Sequence, residues 1–172
     1  GKEQRDKLIG ELDWAHLCTQ CPIDANFFGT LGLCLDNLAQ QGNAAAVEKV
    51  ALYLQGNAEK LTQGVKNVHQ SQYGGLANLL WNCNLVNHPL AHQIATDALE
   101  PLIAKFAVWP GNYRGLGQLV NSLHSVDPEL CKTFLGTNKV RGRIVQSINT
   151  YDWSRNVLGL RHLVKAVLRA AP

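Results

Sequence analysis

The chain has 172 residues, of which 46% are apolar and 17% charged, and its 16 Lys and Arg outweigh 13 Asp and Glu for a net charge of +3. That balance excludes a disordered chain, and the length suffices for one packed core or for about four stacked two-helix units. No apolar run approaches the roughly 18 to 20 residues that cross a bilayer, and the opening Gly1-Lys2-Glu3-Gln4-Arg5-Asp6 is too polar for a secretory signal.

Alternating β-branched runs are absent, so the expected class is all-α. A chain with no Met that opens on a bare glycine is expected to be a piece of a longer protein, with Gly1 a cloning remnant. Of the five cysteines, Cys34, Cys83 and Cys131 sit in apolar helical patterns. They read as small buried hydrophobes of a reducing, cytosol-type compartment.

From the N-terminus, Leu8, Ile9, Leu12, Ala15 and Leu17 are spaced for one helix over Glu3 to Gln20, ended by Cys21-Pro22. This segment, residues 1–22, is expected to be the second helix of a preceding unit. Asp24-Ala25-Asn26 offers an N-cap for a helix from Phe27 to Gln40. Gly42-Asn43 breaks it, and Ala44 to Tyr53 begins the next, with Val47, Val50, Ala51 and Leu54 on one face. Gln55-Gly56-Asn57 predicts a break or kink before Ala58 to Val65. A helix over Gln72 to Val86 follows, then one from Pro89 to Phe106 capped by Asn87 or His88. Pro101 is expected to kink or divide that helix near Leu99-Glu100. After Val108-Trp109-Pro110-Gly111-Asn112 the plan recurs as Tyr113 to Ser125, an Asp127-Pro128 start, Glu129 to Leu135, a Gly136-Thr137-Asn138 spacer and Lys139 to Thr150. Asp152-Trp153-Ser154-Arg155-Asn156 matches the Trp109 junction, and Val157 to Ala170 is a last helix without a partner, so the array is expected to continue.

The order has a common cause in the stretch Gln72-Tyr73-Gly74-Gly75-Leu76-Ala77-Asn78-Leu79-Leu80-Trp81-Asn82-Cys83. Moved forward by 40 residues, its Leu76, Leu79, Leu80 and Cys83 fall on Leu116, Leu119, Val120 and Leu123. A further 44 gives Leu160, Leu163, Val164 and Val167, and 45 backward gives Leu31, Cys34, Leu35 and Leu38. Apolar residues at i, i+3, i+4 and i+7, recurring at this period, are the mark of a helical repeat array. The expected fold is one domain, an α-solenoid of two- to three-helix, HEAT/armadillo-like repeats of 40 to 45 residues. Its units lie near 27–70, 71–108, 111–150 and, in part, 155–172.

In such an array the leucines are committed to the core, and the opposite face of each first helix is left for a ligand. That face carries Leu33 and Asn37, Asn78 and Asn82, Gln118 and Ser122, and His162 and Ala166. Solvated amides are the bland reading of it, with Asn78→Ala and Gln118→Ala expected to cost little. A ladder of amides for an extended ligand is the sharp one.

Charge is uneven. Residues 132–172 hold eight basic side chains (Lys132, Lys139, Arg141, Arg143, Arg155, Arg161, Lys165, Arg169) against Asp152 alone, a net +7, whereas 1–131 net −4. Such a field attracts nucleic acid, anionic lipid or an acidic protein, but no aromatics interleave with these charges as on a stacking platform. Cys18-Thr19-Gln20-Cys21 beside His16 is a weak metal candidate, because Cys18 and Cys21 would need a distant second pair such as His88 and His92; helix-end packing is the better reading. His88 and His92 lack the carboxylate of a metalloprotease pair. No phosphate loop, nucleophile elbow or paired carboxylates occur, so neither catalysis nor a cofactor is expected.

Gly74-Gly75-Leu76-Ala77-Asn78-Leu79-Leu80-Trp81 and Trp109-Pro110-Gly111-Asn112 resemble the SKWP repeats of type III effectors from plant-pathogenic bacteria, over residues 27–170. The core also resembles the octotricopeptide repeats of organelle RNA-maturation factors. The first resemblance implies a non-catalytic protein-binding module of an effector secreted into a host cell. The second implies an RNA-binding alternative, with Asn78, Asn82, Gln118 and Ser122 toward the bases and Arg141, Arg143, Arg161 and Lys165 toward the phosphates.

Overall fold

The computed structural model describes residues 1–153 and 155–171; Ser154, in the second Trp junction, and Pro172, at the end of the last expected unit, lie outside them. Among the described residues there are eleven α-helices and no strand, so the chain is all-α. They are α1 (Lys2–Glu11), α2 (Trp14–Gln20), α3 (Phe28–Gln41), α4 (Ala44–Gly56), α5 (Ala58–Lys66), α6 (Tyr73–Val86), α7 (His88–Ala104), α8 (Tyr113–Val126), α9 (Pro128–Gly136), α10 (Asn138–Asn149) and α11 (Val157–Ala170), with a 3₁₀ turn, Gln70–Gln72, before α6. No helix among them is long and apolar enough to cross a membrane.

Helix ends follow local chemistry. Gly42, at φ 69°, takes the left-handed conformation that closes α3, and Asn43 then accepts the Ala46 N–H at 3.1 Å to open α4. Asn87, Asp127 and Asn156 cap α7, α9 and α11 in the same way. Two expectations are corrected. The single helix over Glu3 to Gln20 is two, because Leu12 is extended and Asp13 accepts the His16 N–H to start α2. Asp24 turns its carboxylate to the Asn26 N–H instead of capping α3. Of the two outcomes expected at Pro101, division does not occur: α7 runs on to Ala104, with Ala98 and Leu102 buried on either side of the proline.

Helices α3, α6, α8 and α11 lie side by side in chain order and run in the same direction. Glycines make the approach close. A Cβ on Gly32 would lie 2.7 Å from the Asn78 carbonyl carbon, and one on Gly117 would lie 2.9 Å from that of His162. The Gly74-Gly75 pair serves both neighbours of α6, since Gly75 meets Gly29 of α3 and Gly74 meets Gly115 of α8. A second layer beneath the row contains α4, α5, α7, α9 and α10, with α7 between α5 and α9. The core lies between the layers: Leu31, Leu35, Leu38, Leu76, Leu79, Leu80, Cys83, Leu116, Leu119, Val120, Leu123 and Leu163 are fully lost to solvent. Val164 and Val167, at the α11 end, are half-buried.

Polar links tie successive helices of the second layer. Lys105 donates to the Lys66 carbonyl at the end of α5, Lys139 to the Ala104 carbonyl at the end of α7, and Arg143 to the Phe106 carbonyl. Cations at these carbonyl ends also answer the helix dipole. The Asp127 carboxyl is held below its ordinary range, chiefly by the Glu129 N–H and then by the His92 imidazole. Because the folded state lowers this pKa, the stabilisation is present above the unfolded carboxylate value and is lost as pH falls through the folded one. Asp127→Ala should therefore cost about 1 kcal/mol at pH 7. Urea titrations should show the difference between parent and variant shrinking below about pH 4; a difference undiminished at pH 2 would mean that the capping carboxylate is not its source.

Candidate functional site

The row buries more of each helix than the leucine stripe. Asn82 and Ser122, expected on an exposed face, are each 3% exposed, and Asn37 is 8% exposed. Asn37 Nδ2 donates within its own helix, to the Leu33 carbonyl at 2.8 Å. Ser122 Oγ donates across to the Ala77 carbonyl at 2.9 Å. Asn82 Nδ2 donates to the Asn78 carbonyl and to Asn78 Oδ1, while its own buried Oδ1 finds no hydrogen-bond partner among the described residues. Asn78, half-buried, spans from α6 to α3 by donating to the Gly29 carbonyl at 2.9 Å. The expectation that these amides share a solvated face thus fails for Asn82 and Ser122 and holds in part for Asn78. Gln118 and His162 are exposed.

The energetic consequence reverses one expectation. Asn78→Ala removes the donor to the Gly29 carbonyl of α3 and one of the two acceptors of the Asn82 amide, which keeps the Asn78 carbonyl, so it should destabilise by about 1 to 3 kcal/mol. Gln118→Ala, on the surface, should stay within about 0.5 kcal/mol. Equal urea midpoints for the two variants would contradict the role assigned to Asn78.

What remains outward is different from the amide ladder. Trp81 is 47% exposed, Leu33 54% and Leu85 61%. A cleft of about 450 Å³ opens between α6 and α8, lined by Gly74, Asn78, Trp81, Gln118 and Asn121 above the Ala77 and Ser122 contact. Sequence reasoning singled out Asn78 and Gln118 but left Trp81 out. The sequence pattern contained a signal: at the same spacings as the leucines, Trp81 aligns with Asp36, Asn121 and Lys165, and none is a leucine-stripe position.

The basic candidates divide by role. Arg141, Arg161 and Lys165 are exposed, whereas Arg143 spends one N–H on the Phe106 carbonyl. Arg143 also lines a second groove, of about 560 Å³, between the Ala107–Pro110 junction and α10. All five thiols are free and buried. Burial pushes the Cys18 and Cys83 thiols up to about 12 and Cys131 to about 11, so they stay protonated and unreactive at neutral pH. Cys18 and Cys21 pack at the end of α2, and among the described residues no group of three or more His, Cys, Asp or Glu could hold a metal. No protein-family model matches the chain, and no curated protein or solved structure is significantly similar to it.

Proposed function

We propose that the chain is a non-catalytic α-solenoid, built of HEAT/armadillo-like units, that docks a protein partner on the Trp81 side of the α3, α6, α8 and α11 row. The observation that carries the reading is the exposure of Trp81 beside a cleft, in a helix whose other flanks are closed by neighbours. Tryptophan is the residue most often found at the energetic centre of protein interfaces, because it offers a large rigid surface and a polar edge. The occupant we infer is a peptide segment that sets an apolar side chain against the indole and exchanges hydrogen bonds with the Gln118 and Asn121 amides. Leu33 and Leu85 extend the same chemistry along the outer surface. The resemblance to SKWP repeats supports a setting in a bacterial effector secreted into a host cell. RNA binding is the alternative, supported by the exposed Arg141, Arg161 and Lys165.

Peptide display against the whole chain, counter-selected on a Trp81→Ala variant of unchanged melting temperature, tests the protein reading. Sequences that bind the parent at least about tenfold more tightly than the variant are expected, as at an interface hot spot. Enriched peptides indifferent to Trp81 would move the site elsewhere, and a selection without binders would remove the reading.

A further inference from the structure

The groove at the other end of the chain joins residues that the sequence keeps apart. Trp109, Tyr113 and Tyr151 line it together with Arg143, Asp152 and Arg155. The aromatic rings are held in place. Trp109 is 39% exposed, and its indole lies over Gly111, where a Cβ would come within 2.7 Å of Nε1. Tyr113 and Tyr151 rings are 5.9 Å apart, and Trp153 stands edge-on to Tyr151 at 5.4 Å. The Tyr113 hydroxyl is bound to Ser147 at 2.7 Å, whereas the buried Tyr151 hydroxyl has no hydrogen-bond partner among the described residues.

Charge completes the groove. Arg143 uses one guanidinium N–H on the Phe106 carbonyl, which fixes the side chain while further donors of its fork remain. Arg155 pairs with Asp152 at 3.5 Å, with the side chains 65% and 57% exposed. A pair so exposed is weak, and a phosphate can replace the carboxylate. The surrounding segment, 132–172, carries a net +7. Flat aromatic surfaces beside guanidinium groups in a positive field are what a nucleotide recognises, the base by stacking and the phosphate by charge.

We propose that this groove binds single-stranded nucleic acid, with a base stacked on Trp109 or Tyr151 and the adjoining phosphate met by Arg143 and Arg155. The site is separate from the Trp81 cleft, so either can fail without the other. It requires none of the buried amides of the row.

The test is anisotropy of labelled 12-nucleotide rU and dT strands with the whole chain at two salt concentrations. Both strands should bind, with affinity falling steeply as salt rises. Trp109→Ala should weaken binding roughly 5- to 100-fold, the loss of one stacked base. Arg155→Gln, at an exposed position, should lower the salt slope by about one. Trp81→Ala should change nothing. Melting temperatures verify that each variant is folded, and Arg155→Gln keeps the test decisive where Trp109→Ala is not. No binding of either strand at low salt would overturn the proposal, as would binding that ignores both changes. A heparin fragment that binds as tightly and without dependence on Trp109 would show charge attraction alone. Trp109-dependent binding of an acidic phosphopeptide, with neither strand bound, would reassign the groove to a protein ligand.

Discussion

Leu79→Ala and Leu119→Ala should each lower the free energy of unfolding by about 2 to 5 kcal/mol, read as a shift of the urea midpoint followed by circular dichroism. Both side chains are wholly buried, and both sit in the middle of the row, where helices flank them and a second layer lies beneath. Deleting three carbons there loses the transfer energy and leaves a cavity that the neighbours cannot collapse into, because glycine contacts already hold the row helices at close approach. Leu33→Ala and Leu85→Ala, at residues more than half exposed, are the controls and should each cost less than about 1 kcal/mol. If Leu33 proved as costly as Leu79, the inner and outer faces of the row would be assigned the wrong way round.

The leucine stripe was legible because its period is that of a helix and because it recurs; every leucine aligned with Leu76 and Leu79 is in the core. The amides were not. A periodicity argument divides a helix into an inside and an outside, but a helix in a row has a neighbour on each flank as well as a layer below. The buried arc is then far wider than the stripe, and Asn82 and Ser122 fall on the flanks. The Trp109 groove was illegible for another reason. Its aromatics lie on a junction, at the start of α8 and on the segment after α10, while Arg143 lies within α10, so no local interleaving of aromatic and basic residues betrays it. The split after Leu12 depends on one cap, Asp13, in a stretch whose apolar spacing continues across the break. At Pro101 the helix runs on undivided, with buried residues on both sides of the proline.

Gly32→Ala and Gly117→Ala should destabilise, although alanine is the better helix former. In isolation the change favours a helix by about 0.5 to 1 kcal/mol. Here each new Cβ meets backbone of the adjacent row helix, at 2.7 Å from the Asn78 carbonyl carbon and 2.9 Å from that of His162. Backbone cannot rotate away as a side chain can, so the two helices must separate along their length, and the hydrogen bonds between them lengthen with the gap. Overpacking of this kind costs about 1 to 3 kcal/mol, enough to reverse the propensity gain. Gly142→Ala supplies the opposite sign within the same chain, because Gly142 lies inside α10 with nothing within 4 Å of its added Cβ. It should stabilise by about 0.5 to 1 kcal/mol. The three variants together separate helix propensity from helix approach. Stabilisation by all three would mean that the row helices can slide apart without loss, and the close packing of α3 on α6 and of α8 on α11 would then contribute little to holding the fold.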